Sequence, residues 1–238
     1  MDGVLADLDA ALVREALRLF PGVDIARTPE PVVPEAAGAG RPLPETPGEV
    51  SPASLRLTPR QERQLWDAVR GIENFWETLH ETEAGIVSQL AGTASARRWE
   101  VMFLTSRPRS AGDTVQVQSQ RWLSRLGFQY PSLFVVSSSR GRIAQALALD
   151  VVVDDRPENC LDVSIDSKAR AILIWRGAES AVPASARRLG IGGVPSVASC
   201  LDLLVAAEEA DHAEGGLMDR LKRLLKLKPS TTTEQARA

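Results

Sequence analysis

The chain has 238 residues, 44% hydrophobic and 25% charged, a balance that supports a folded core of ordinary size. Its formal net charge of −3 argues against a general nucleic-acid binder. Two cysteines (Cys160, Cys200) and two histidines (His80, His212) are too few for a disulfide framework or a zinc centre, so any metal must be held by oxygen.

The start of the chain is acidic and lacks the basic and apolar regions of a secretory leader. No apolar run approaches the ~18 residues that span a bilayer. The expected compartment is the cytoplasm, with no transmembrane segment.

In chain order, Asp7 to Leu19 predicts an amphipathic helix, with Leu8, Leu12, Ala16 and Leu19 on one stripe. Between Thr28 and Pro59 lie eight of the 15 prolines, together with Gly38, Gly40 and Gly48, which reads as an extended linker. Order restarts at Thr58, an N-cap followed by Pro59 at the first helical position and by Gln61, which completes a capping box. The helical pattern continues through Trp66, Val69, Ile72, Phe75, Trp76 and Leu79, and a second helix is expected over about Glu83 to Ala91.

An alternation follows. Strands are expected at Val101–Leu104, Leu133–Val136, Val151–Val153 and Ala171–Ile174. Helices are expected at Val115–Leu126 (closed by Gly127), Gly141–Leu149, Pro157–Val163 and Ser196–Ala207. Short apolar strands alternating with helices predict an α/β fold, a Rossmann-like parallel sheet with helices on both faces. Near the end, Leu217, Leu221, Leu224 and Leu225 share a face of a basic segment over 217–228. That segment either packs on its own domain or a dimer mate, or contacts a partner or a membrane surface.

Three stretches carry chemistry. Asp154-Asp155-Arg156-Pro157-Glu158-Asn159 follows an apolar strand, and two adjacent carboxylates at a strand end suit a hard cation such as Mg²⁺. Thr105-Ser106-Arg107-Pro108 follows another strand with two hydroxyls and a guanidinium, groups that suit phosphate oxygens. Asp2-Gly3-Val4-Leu5-Ala6-Asp7 opens the chain. Each has a plain alternative as a polar turn or cap. Ligands in open α/β sheets nevertheless collect outside the carboxyl ends of strands, where the first two would lie.

Together these stretches resemble the first, second and fourth motifs of the haloacid dehalogenase superfamily. Within it they are most similar to the 5'(3')-deoxyribonucleotidase-like branch, whose helical cap Asn74-Phe75-Trp76-Glu77-Thr78-Leu79 also resembles. The resemblance implies the start of a core over 1–20, a Pro-rich linker and cap over 21–98, the rest of the core over 99–207 and a basic helix with a tail over 208–238. It implies Mg²⁺-dependent hydrolysis of a phosphomonoester, such as a nucleoside monophosphate, through an aspartyl-phosphate.

Carried over by position, Asp2 is the acid/base aspartate and a metal ligand through its backbone carbonyl. Thr105 is the phosphate-binding hydroxyl, Ser106 and Arg107 contact substrate, and Asp154 and Asp155 bind the metal. Arg140 stands where the family has a catalytic lysine, with Arg142 as the alternative. The aromatic rings of Trp66, Phe75 and Trp76 either stack on a base or belong to the core.

The nucleophilic aspartate and its strand would precede Met1, so the true start is expected upstream. A rival register makes Val4-Leu5-Ala6 the strand and Asp7 and Asp9 the reacting pair. A different class of function, a phosphate-binding or regulatory protein without catalysis, is the alternative.

Overall fold

The computed structural model describes residues 1–23 and 55–211. The proline-rich linker up to Ser54 and the basic segment over 217–228 therefore lie outside the described residues. The chain divides into two compact units, Met1–Ser138 and Ser139–Ala238.

In the first unit, α1 (Leu8–Leu19) starts where Asp7 accepts a hydrogen bond from the Ala10 N–H, and buries Leu8, Ala11, Leu12 and Ala16. It packs on α2 (Pro59–Gly71), which buries Leu65, Trp66 and Val69. The expected capping box at Thr58 is present. The Gln61 N–H donates to Thr58 Oγ1 at 3.3 Å, and the Thr58 N–H donates to Gln61 Oε1 at 2.9 Å.

The helical pattern does not run through to Leu79. Ile72 is extended and Asn74 is left-handed, with φ +51°, so the chain re-enters only a single 3-10 turn at Phe75–Glu77. A tertiary tie fixes this break. Asn74 donates its N–H to the Ala111 carbonyl, and its side-chain oxygen accepts from the Asp113 N–H. The next helix, α3 (Ile86–Arg97), begins and ends later than its apolar spacing predicts. The Glu81 carboxylate accepts from the Gly85 and Val87 N–H groups at its start, where an anion is favoured.

Strand β1 (Met102–Thr105) then leads through α4 (Val115–Arg125) to β2 (Ser132–Val135). The two strands are parallel, with Phe103 opposite Leu133 and Thr105 opposite Val135. Gly127, at φ +105°, closes α4 as expected, a backbone state that costs a side-chain-bearing residue more.

The second unit holds a parallel sheet in the order β3 (Val151–Asp154), β4 (Arg170–Ile174), β5 (Gly192–Val194). Before it comes α5 (Arg140–Ala146), and α6 (Pro157–Asp166) joins β3 to β4. A short α7 (Ala184–Arg188) and β5 are additions to the sequence-based expectation, and α8 (Val197–Asp211) follows. Ala171 and Leu173 pack with Val152, Cys160 and Val163 in the core of this unit. Strand alternation turns Ile172 and Ile174 to the other face, and both are buried too. A strand buried on both faces explains why 171–174 is continuously apolar.

The chain is therefore α/β with small parallel sheets and covering helices, and the single sheet expected from the sequence is described as two. No helix among the described residues is long and apolar enough to cross a membrane.

Candidate functional site

The strand–turn grammar places the chemistry-bearing residues at strand ends. In the first unit, β1 ends at Thr105 and delivers Ser106, Arg107 and Pro108 beyond its carboxyl end. Asp2 comes to them from 105 positions away in sequence. Arg107 Nε donates to Asp2 Oδ1 at 2.9 Å and to Oδ2 at 3.0 Å, and its Nη2 donates to Oδ1 at 2.6 Å. The Thr105 hydroxyl donates to Asp2 Oδ2 at 3.2 Å.

The far side of the guanidinium is held as firmly. Its Nη1 donates to the Ser119 hydroxyl on α4 at 2.8 Å, and its carbon lies 4.9 Å from the centre of the Trp76 ring. Trp76 is itself fixed, donating Nε1 to the Pro108 carbonyl and its backbone N–H to Gln118 Oε1. The Arg107 side chain is fully shielded from solvent, whereas that of Asp2 keeps 21% exposure.

Burial alone would push the Asp2 carboxyl up. The Arg107 guanidinium, the Met1 amino group and the Thr105 hydroxyl outweigh it and hold the group below the usual carboxylate range. Asp2 is thus an anion with most of its acceptor capacity filled. Arg107 and Thr105, both expected on a phosphate, meet Asp2 instead. The Ser106 hydroxyl, partly buried, takes no side-chain partner among the described residues.

The strand that the rival register requires is absent. Val4 and Leu5 lie in a turn, Asp7 is the N-cap of α1, and Asp9 is exposed in its first turn. The aromatic question is also settled. Trp66, Phe75 and Trp76 are all buried, so their rings belong to the core and offer no free face to a base.

In the second unit, β3 ends at Asp154 with Asp155 directly after it. Asp154 is nearly buried. Its Oδ1 accepts from the Arg156 N–H and from Asn159 Nδ2, each at 2.9 Å. Pro157 at the first turn of α6 commits the chain to helix there and aims Asn159 back at the strand end. Both hydrogen bonds fall on one oxygen, which leaves Oδ2 of Asp154 for a ligand. Asp155 is only partly buried. Carboxylate oxygens are what Mg²⁺ prefers, and one or two of them suffice when waters and phosphate oxygens complete its shell, so the pair fits that ion. Among the described residues no three Asp, Glu, His or Cys side chains gather into a metal cage.

Arg140 is the first residue of α5, partly buried, and Arg142 is exposed. The start of α5 is already occupied by an internal anion. The Asp162 carboxylate accepts from the Ser139 hydroxyl at 2.8 and 2.9 Å and from the Gly141 N–H at 3.0 Å. Partial desolvation would raise its pKa. The Gly141 N–H, the Ser139 hydroxyl, the Arg140 N–H and the charge of Arg142 together lower it. Nothing in the sequence pattern marks Asp162 for this role, because its partners lie more than 20 residues upstream.

No family model, no curated protein and no solved structure matches this chain.

Proposed function

We propose that this protein is a Mg²⁺-dependent phosphomonoester hydrolase of haloacid dehalogenase type, acting on a small phosphorylated substrate such as a nucleoside monophosphate. The observation that carries this reading is the strand end at Asp154. A parallel strand delivers two adjacent carboxylates past its carboxyl edge, one of them nearly buried with an oxygen left for a ligand. In this reading Asp154 and Asp155 hold Mg²⁺, and the ion offsets the charge of the phosphoryl group. Asp2 moves the proton, Thr105 orients Asp2 through its hydroxyl, Ser106 holds a phosphate oxygen, and Arg140 supplies positive charge.

One observation favours a second reading, phosphate binding without turnover. Asp2 has a lowered pKa and is gripped by Arg107, and a carboxylate held ionised is a poor proton donor. The two readings part in a direct assay. The chain and a form extended upstream by its own in-frame codons are incubated with Mg²⁺ and a panel of nucleoside and sugar monophosphates. Phosphate release by the extended form, abolished in Asp154→Asn, supports the hydrolase. Binding of a monophosphate without release in either form supports the second reading, and neither binding nor release sinks both.

A further inference from the structure

A cavity of about 250 Å³ opens in the second unit at the amino-terminal end of its strands. Its lining includes Ser164, Ser167, Lys168, Arg170, Leu189 and Ile191, with alanine and glycine completing the wall. The ladder places it away from the acidic pair. Arg170 is opposite Val151 at the start of β3, whereas Asp154 closes the other end opposite Leu173.

Two positive side chains line this cavity and no carboxylate does. The Arg170 guanidinium makes no ion pair among the described residues, and its Nε is shielded from water without an acceptor. Burial accordingly disfavours its charge, lowering its pKa with no anion to oppose the effect. A cation in that state is ordinarily paired.

The two serines of the lining turn inward to the backbone. At the end of α6 the Ser164 hydroxyl donates to the Cys160 carbonyl, and the Ser167 hydroxyl donates to the Val163 carbonyl. The serine protons are spent, so positive charge rather than hydroxyl donation is what the cavity offers.

We infer that this cavity is a binding site for a small phosphate-type dianion, held between Lys168 and Arg170 and separate from the acidic strand end. A guanidinium presents two parallel N–H groups to such an anion, and a lysine adds a point charge. The pair matches a charge of two better than that of a single carboxylate.

The test is titration calorimetry on the full chain without divalent metal, with inorganic phosphate and acetate as probes. Phosphate should bind more tightly than acetate. Arg170→Met and Lys168→Met should each weaken phosphate binding at least tenfold, while Asp9→Asn, at an exposed position of α1, binds it as the parent does. Lys168 is exposed, so its variant keeps the test valid if Arg170→Met fails to fold. Equal binding by parent and Lys168→Met, a preference for acetate, or phosphate binding only once Mg²⁺ is added would each overturn the assignment. The last result would place phosphate at the acidic strand end and leave the hydrolase reading intact.

Discussion

Arg107 and Asp2 face each other edge to edge, with three guanidinium–carboxylate hydrogen bonds between 2.6 and 3.0 Å on a side chain wholly out of solvent. A buried arginine of this kind is costly to strand, because removing its partner leaves an uncompensated charge. Asp2→Asn should destabilise the first unit by about 2–4 kcal/mol at neutral pH, with Arg107→Met similar. The double variant should lose clearly less than the sum, measured by urea unfolding as a double-mutant cycle. Additive losses would mean that the pair is not coupled.

The same pair sets a pH dependence. Asp2 has a lowered pKa in the folded chain, so it contributes stability above its unfolded value of about 3.9. That contribution is lost as pH falls through the folded value. The stability gap between the parent chain and Asp2→Asn should therefore be full at pH 6 and should narrow below about pH 3.9. A gap that widens on acidification would contradict the ion pair.

Gly141 lies where α5 crosses α6. A β-carbon there would collide with the Asp162 carbonyl and stand 2.7 Å from Asp166 Cβ. Backbone cannot yield as a flexible side chain can, so Gly141→Ala should cost about 1–3 kcal/mol. Hydrogen exchange should report the loss in α5 and α6. Unchanged protection there would show that the helices can part without penalty.

Thr58 is a smaller and cleaner case. Thr58→Ala removes the acceptor for the Gln61 N–H in an exposed cap, and α2 should lose about 1 kcal/mol. Thr58→Ser, which keeps the oxygen, should recover most of it.

If the strand end at Asp154 holds Mg²⁺, Asp154→Asn should weaken Mg²⁺ binding at least tenfold by calorimetry. Asp9→Asn, at an exposed position of α1, should leave it unchanged. Retained affinity in Asp154→Asn would remove the acidic pair from the metal assignment.

Local signals were legible in the sequence. The capping box at Thr58, the closing Gly127 and the strand ending at Asp154 all depend on neighbours a few residues apart. What could not be read depends on distant partners. The break at Ile72–Asn74 interrupts a good helical pattern because Asn74 is tied to residues 111–113. Gly112 permits that approach, since a β-carbon on it would strike the Asn74 side chain. Strand β5 is three residues long with two glycines, so composition argued against it, and it forms because its backbone pairs with Ile172–Ile174. Thr105 and Arg107 were legible as a polar turn after a strand. That they grip Asp2 was not, because nothing local reports a contact across 105 positions.

Every paired strand in the described residues is the neighbour in sequence of its partner, β1 with β2, β3 with β4 and β4 with β5. Ladders of this kind close short loops and can form early within each unit. The turn at Met1–Ala6 is different, since Asp2 must find Thr105 and Arg107 at the far end of a long loop. Loop closure over about 100 residues predicts that its docking follows the local ladders, which a lower φ-value at Asp2 than at Phe103 would show.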